Sequence, residues 1–419
     1  VKTNIFFLSD IIYIYRMYLL NYRLARFFFA LILSSFILFL SLEDLRWGQF
    51  WSFFYIPVGP IPFSDFDALN IFLSYEKMGL NPYIENPESH PIHKFLIYPS
   101  VWLNITDILK LNKELNFKIT SFLILFTYFY VLLDLFFRFK KATLGFLLLI
   151  FFFSTSNFLL IERLNVDIIL FCLIYFALVN KKIITQFIFY SISLILKIFP
   201  IFSIFMFIGK KKLFFFSLIF SILYLFLIRE EIALISKNVI EYALISAYGA
   251  VSISKALYYY SMKFGYLIND DNYQLFKIAI IMFFSLYGLF LFLINFSFSK
   301  SKEILKEISI EEKMFLAGAG IFIGTYAISA NFDYRLIFLT LTFPYLINKL
   351  NSKLLVIYFF ILIFCFNSLL YSGDPYSLNY FLKAVFIYTL KILLYSLNCY
   401  YFGIILNKYI KINFFNLKS

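Results

Sequence analysis

Charged side chains are scarce in this chain, and their scarcity excludes most soluble architectures. Asp, Glu, Lys and Arg make up 15% of the residues, whereas soluble domains carry about a quarter. Hydrophobic residues reach 62%, aromatic residues 23% and the mean hydropathy +0.85. This composition predicts a polytopic membrane protein.

Motifs of several soluble enzyme classes are also missing. The sequence contains no P-loop, nucleophile elbow, zinc-binding pair or glycine-rich dinucleotide motif. Cys172, Cys365 and Cys399 lie in apolar segments without disulfide or metal spacing, so we interpret them as core residues. His90 and His93 stand in a proline-rich stretch without a carboxylate-rich ligand set, which favours a solvated loop.

The length predicts a single all-α membrane domain over residues 1–419. At about 20 residues per crossing, such a chain holds about ten to twelve membrane helices. Two polar segments, 43–118 and 229–273, are the main loops. Apolar runs predict helices near 24–42, 119–137, 143–161, 166–180, 183–197, 199–209, 213–228, 274–297, 314–329, 334–348, 353–371 and 383–406.

Basic residues indicate the orientation. The net charge of +13 could suggest nucleic acid, but Lys and Arg fall in short clusters between apolar runs, which is typical of cytoplasmic loops. Alternating spans then put both termini in the cytoplasm and the loops 43–118 and 229–273 outside. The clusters are Arg16 to Arg26, Arg138 to Lys141, Lys181–Lys182, Lys210 to Lys212, Lys300 to Lys313, Lys349 to Lys353 and Lys408 to Lys411.

The segment between Lys182 and Lys210 has basic residues on both flanks, so it must return to the cytoplasm. A helix of 15 residues rises only about 22 Å, less than the ~30 Å hydrocarbon core. We therefore predict a hairpin of two half-helices hinged at Lys197-Ile198-Phe199-Pro200.

Two carboxylates, Asp65 and Asp67, follow the first apolar run in a polar loop. Two residues apart in a loop, both can face one cleft. Either could instead cap a helix that begins near Ala68, because Asp is common at helix N-caps.

Several short motifs follow one another along the chain. Asp65 stands fourteen positions before Gly79-Leu80-Asn81-Pro82-Tyr83, and Tyr98-Pro99 follows. Further motifs are Arg163-Leu164-Asn165-Val166-Asp167, the Lys197 hinge and Asn331-Phe332-Asp333-Tyr334-Arg335. The order and spacing of these motifs resemble the family-87 glycosyltransferases, polyprenyl-phosphate-sugar-dependent enzymes of the GT-C superfold that include bacterial mannosyltransferases. Glu162-Arg163 stands where many members carry Gly-Gln, and the last spans match only as hydrophobic helices.

The resemblance implies a GT-C fold with a large first extracytoplasmic loop, in a bacterial inner membrane. It implies transfer of a sugar, a hexose such as mannose, from a polyprenyl phosphate to a glycolipid or cell-envelope glycan outside the cytoplasm. Asp65 would be the general base, with Asp67 as the alternative. The other implied substrate-binding residues are Asn81, Tyr83, Tyr98, Asn165 and Asp333, of which the two tyrosines suit sugar stacking.

The chemistry of such a transfer requires a cation at the departing phosphate. Lys197 is the first candidate, because a lysine inside a membrane is costly and usually functional; it could also snorkel to the interface. Arg335 and Arg163 follow, since arginine binds phosphate in a bidentate fashion, unless they pair with Asp333 or Asp167 as structural salt bridges. A lipid monophosphate leaving group needs no metal, so we expect neither metal nor cofactor.

Two other functions stay open. A lipid-linked sugar flippase or transporter should show internal repeats and ionisable residues near mid-membrane, and the sequence has no convincing repeat. An envelope polysaccharide polymerase or ligase would depend on a large late extracytoplasmic loop, whereas the polar motifs here concentrate in the first.

The basic clusters generate a topology prediction. A reporter fused after Lys212 should give a cytoplasmic signal, and one fused near Asn238 an extracytoplasmic signal, because the hairpin between Lys182 and Lys210 returns the chain to the cytoplasm. Paired phosphatase and fluorescent-protein fusions measure this directly. A cytoplasmic signal at Asn238 contradicts the map.

Overall fold

A computed structural model describes residues 3–85, 95–139, 141–238, 246–263, 270–298, 308–371 and 377–414. These residues are almost entirely helical, which confirms the all-α prediction. The first nine helices are α1 (Thr3–Leu40), α2 (Asp44–Phe53), α3 (Ser64–Lys77), α4 (Val101–Leu109), α5 (Glu114–Phe139), α6 (Ala142–Phe152), α7 (Thr155–Arg163), α8 (Asp167–Val179) and α9 (Ile183–Leu196). The remaining α-helices are α10 (Lys211–Leu227), α11 (Arg229–Asn238), α12 (Ala250–Lys263), α13 (Asp270–Phe298), α14 (Ile310–Ile328), α15 (Phe343–Lys349), α16 (Ser352–Phe366) and α17 (Leu378–Phe414). Three 3-10 helices lie at Phe199–Phe207, Asp333–Thr342 and Ser368–Tyr371.

The described helices support a polytopic membrane protein. Four segments are long and apolar enough to cross a bilayer: Tyr22–Leu40, Glu114–Phe139, Asn272–Ile294 and Asn379–Tyr409. The count rises to six if two bent pairs are each one span: α6 with α7 (56°) and α10 with α11 (73°). Helices α8, α9 and α16 are apolar but shorter. The larger number of ten to twelve membrane helices stays a prediction.

The first loop is itself helical. Between the first two long spans, α2, α3 and α4 pack onto the helical core, and Trp47 and Trp51 are each 1% exposed. The side chain of Glu162, on α7, accepts hydrogen bonds from the Gly59 amide (2.9 Å) and the Trp47 indole (3.4 Å). These buried contacts fix the loop against the end of α7.

The predicted hinge lies where expected. Helix α9 ends at Leu196, and Lys197 has extended backbone (φ −163°, ψ 147°). The chain continues as the 3-10 helix Phe199–Phe207 with Pro200 in its first turn. The expected second half-helix, 199–209, is therefore a tighter 3-10 helix.

Glycines on α14 explain how closely that 3-10 helix packs. A Cβ added to Gly320 would lie 2.2 Å from the carbonyl oxygen of Phe202, and one added to Gly324 would lie 2.3 Å from the Phe202 ring. Any larger residue at either position would push the 3-10 helix away from α14.

A short antiparallel pairing joins the second loop to the turn after α14. Strand β1 (Ala247–Tyr248) pairs with β2 (Asn331–Phe332), with Ala247 opposite Phe332 and Tyr248 opposite Asn331. The backbone amide of Asp333 extends the pairing by donating to the Ser246 carbonyl at 2.9 Å.

A buried ion pair ties α17 to this pairing. The Lys391 ammonium lies 2.8 and 2.9 Å from the two carboxylate oxygens of Asp333, and both side chains are 1% exposed. Lys391 also donates to the Ala247 carbonyl (3.0 Å), and the Ser368 hydroxyl donates to Asp333. Lys391 thus connects α17 with β1, through the Ala247 carbonyl, and with Asp333, the residue that follows β2.

Removal of one partner of the Lys391–Asp333 ion pair should destabilise the protein. Lys391→Met leaves the Asp333 carboxylate buried and uncompensated, so we expect a loss of about 3–5 kcal/mol of stability. Thermal unfolding of the purified protein in detergent measures the effect. Lys383→Met, on the same helix but only half-buried, is the matched control and should change little. Equal melting temperatures for the two variants would contradict the structural role of the pair.

Candidate functional site

Helix α3 positions the two carboxylates that follow the first span. It begins at Ser64, so Asp65 and Asp67 lie in its first turn and not in a loop. The N-cap residue is Phe63, and no side chain caps the helix there. The alternative that either aspartate caps a helix beginning near Ala68 is therefore wrong.

The helix also separates the two carboxylates. Residues two apart on an α-helix differ by about 200° around its axis, so they do not face each other. Asp65 accepts a hydrogen bond from the Asn165 amide at 2.7 Å, whereas Asp67 accepts one from Asn70 on its own helix at 3.0 Å. The expectation that both face one cleft is corrected, and Asp65 is the one that contacts another predicted site residue.

Asn165 links Asp65 to a buried ion cluster. Its side-chain oxygen accepts the backbone N–H of Asp167 at 3.0 Å. The carboxylate of Asp167, which is 0% exposed, then receives Lys197 Nζ at 2.6 Å on one oxygen and Arg335 Nε at 3.0 Å on the other. Two cations share one anion, so Asp167, Lys197 and Arg335 carry a net charge of +1.

Both cations reach the edge of the protein. The side chains of Lys197 and Arg335 are each 13% exposed, unlike the carboxylate that holds them. The Phe199 ring lies beneath both, with its centroid 5.3 Å from Lys197 Nζ and 4.5 Å from Arg335 Cζ. Arg335 also donates to the side-chain oxygen of Asn331. Aromatic contact and ion pairing together orient the cations.

Tyr98 covers the cluster from the first loop. The centroid of its ring lies 5.0 Å from Lys197 Nζ. Burial raises the pKa of the Tyr98 phenol well above its ordinary value, and the negative charges of Asp65 and Asp167 act in the same direction. The positive charge of Arg335 and a hydrogen bond with Asn165 act the other way. Tyr98 is therefore a neutral hydrogen-bonding group at physiological pH and not a base.

Backbone strain lies beside the Asp65–Asn165 contact. Phe63 (φ 60°) and Leu164 (φ 44°) both have left-handed conformations that side chains with a Cβ rarely adopt. Leu164 directly precedes Asn165, and Phe63 stands two residues before Asp65. Non-glycine residues in this region persist where surrounding contacts impose them, and they concentrate at functional sites.

Arg163 and Asp333 have different partners from those expected. Arg163 pairs with Glu162 at 2.9 Å and donates to the Ser64 hydroxyl at 2.9 Å, so it supports the first loop. Asp333 pairs with Lys391, as described above, and Arg335 with Asp167. Both arginines do form salt bridges, but Arg163 pairs with its neighbour Glu162, and Arg335 pairs with Asp167, which is 168 residues away.

Asn81 and Tyr83 shape the first loop. The Asn81 side chain accepts the backbone N–H of Tyr83 at 3.0 Å. The Tyr83 hydroxyl lies 2.8 Å from the Tyr98 carbonyl oxygen and 2.9 Å from Glu231 Oε1. Burial and the Glu231 carboxylate raise the pKa of the Tyr83 phenol. These contacts indicate a role in positioning the loop around Tyr98.

Sequence reasoning missed Lys391 and Glu231. Lys391 lies in the interior of the apolar run 383–406, which was a usable signal, because an intramembrane charge is rarely left without a partner. Glu231 offered none, since it follows another glutamate in a polar segment.

Metal ligands do not gather in the part of the chain that the structure describes: no group of three or more His, Cys, Asp or Glu side chains is placed to hold an ion there. His90 and His93 lie outside those residues. The expectation that no metal takes part stays a prediction.

Comparison with known proteins found no match among family models, curated proteins or solved structures.

Proposed function

We propose that this chain is an integral membrane glycosyltransferase. It transfers a sugar, a hexose such as mannose, from a polyprenyl phosphate to a hydroxyl of a glycolipid or cell-envelope glycan on the extracytoplasmic face. One observation carries the proposal: a carboxylate, Asp65, is linked through Asn165 and Asp167 to two cations, Lys197 and Arg335. A base and a phosphate-binding pair are the two groups that this reaction needs.

The cations suit the donor phosphate. Lys197 and Arg335 share a single carboxylate, so one positive charge is left to attract an anion. Asp167 is inaccessible, whereas the side chains of both cations are each 13% exposed. Arginine adds a planar set of donors that matches phosphate oxygens. As the sugar–phosphate bond breaks, negative charge grows on the departing oxygen, and the pair stabilises it.

The carboxylate suits the acceptor. In the proposed step the acceptor oxygen attacks the anomeric carbon and the carbon–oxygen bond to phosphate breaks. The bonding electrons leave with the lipid phosphate toward Lys197 and Arg335, and the hydroxyl proton passes to Asp65. Asp65 is half-buried, and Asn165 donates to one of its oxygens at 2.7 Å, which holds a carboxylate of the kind that serves as a general base beside the ion cluster.

The surroundings suit a lipid substrate. Apolar helices flank the cluster, and the long spans expose large hydrophobic side chains such as Phe36 and Phe290, as a bilayer environment requires. A polyprenyl chain can therefore stay in the lipid while its phosphate reaches Lys197.

The general base provides the test. Asp65→Asn preserves the size of the side chain but removes its ability to accept a proton, so transfer should fall by about 10²–10⁴. Asp67→Asn is the matched control, because Asp67 lies two residues away on the same helix and contacts Asn70. The measurement is sugar transfer by purified protein from a panel of polyprenyl-phosphate sugars to membrane glycolipid extracts.

Both variants should be monodisperse and insert normally. Near-wild-type transfer by Asp65→Asn would refute its role as the base. A wild-type protein that transfers no sugar from any donor of the panel would refute the proposed function itself.

A further inference from the structure

Helix α11, in the second loop, contacts the first loop at two points. Glu231 Oε1 accepts the backbone N–H of Ser100 at 2.9 Å and lies 2.9 Å from the Tyr83 hydroxyl. Asn238 stands seven residues later, two turns along the same face. Its side chain donates to the carbonyl oxygens of Tyr83 (2.9 Å) and Leu96 (3.3 Å). Helix α11 therefore contacts the chain on both sides of Tyr98, at Leu96 before it and at Ser100 after it.

The segment held in this way touches Lys197, one of the two cations proposed to bind phosphate. Tyr98 places its ring 5.0 Å from Lys197 Nζ, and its carbonyl oxygen lies 2.8 Å from the Tyr83 hydroxyl. A few residues on, the Trp102 indole donates to the carbonyl of Leu196 at 2.8 Å. Leu196 directly precedes Lys197, so the first loop contacts the hinge both at the lysine side chain and at its backbone.

Glu231 makes the most central of these contacts. It is the acceptor for a backbone amide two residues after Tyr98, and its second partner, Tyr83, bonds to the Tyr98 carbonyl. A carboxylate that accepts a backbone N–H forms a charge-assisted hydrogen bond, stronger than a neutral one. Its neighbour Glu230 points outward, with a side chain 90% exposed.

We infer that Glu231 is a positioning residue through which the second loop holds Tyr98 and the Lys197 hinge in place. The assignment of Lys197 to the donor phosphate rests on the proposed function, but the mechanical link from Glu231 to the hinge does not. The second loop thereby restricts the movement of the Lys197 ammonium.

Hydrogen–deuterium exchange of the full chain in lipid nanodiscs tests the link without any substrate. In Glu231→Ala, amides of residues 96–103 should exchange about tenfold faster or more, because the charge-assisted hydrogen bond from the Ser100 amide is lost. Amides of the hinge, 195–202, should also exchange faster. Glu231→Gln keeps an oxygen that accepts from Ser100 and Tyr83, so it should restore most of the protection. Glu230→Ala is the matched control and should exchange like the wild type.

The outcomes separate this inference from the proposed function. Three results would overturn the positioning role. They are unchanged exchange in Glu231→Ala, equally faster exchange in Glu230→Ala, and faster exchange that is confined to residues 96–103. Where the wild type transfers sugar, Glu231→Ala should also raise the KM for the donor more than it lowers kcat, and an unchanged KM overturns the role as well. If the wild type transfers no sugar, the proposed function fails while the exchange result still decides the link.

Discussion

The buried carboxylate of Asp167 is the constraint on which the rest of the site depends. A charge removed from water is tolerated only when it is paired and hydrogen-bonded, and Asp167 meets that condition with Lys197, Arg335 and the first turn of α8. Its partners come from distant parts of the chain, the hinge after α9 and the 3-10 helix after β2. The pairing of this one carboxylate therefore brings three separate elements together, and the three charged residues keep a net charge of +1.

The first loop completes the arrangement from the opposite side. Asn165, two residues before Asp167, donates to Asp65 at the start of α3, and Tyr98 covers Lys197. Left-handed backbone at Phe63 and Leu164 lies on both sides of that contact. The Asp333–Lys391 pair has a separate task, since it connects α17 to the two-stranded pairing. The Asp167 cluster orients candidate reactive groups, and the Asp333–Lys391 pair holds the fold.

Long apolar runs and the hinge could be predicted from sequence because their signals are local. The runs 24–42, 119–137 and 274–297 correspond to α1, α5 and α13, and the chain breaks at Lys197 as the basic flanks required. The helices of the first loop, the start of α3 at Ser64 and the partners of the arginines could not be predicted. Those features depend on contacts such as Asp65 with Asn165, which are 100 residues apart and leave no periodic pattern in the sequence.

We propose that Lys197 and Arg335 together bind the phosphate of a polyprenyl lipid. A cryo-electron-microscopy structure of the chain in nanodiscs containing undecaprenyl phosphate tests this binding site. We expect phosphate oxygens about 3 Å from Lys197 Nζ and the Arg335 guanidinium, with Asp67 outside the site. A lipid phosphate bound elsewhere, with both cations in contact with Asp167 alone, would contradict the proposed binding site.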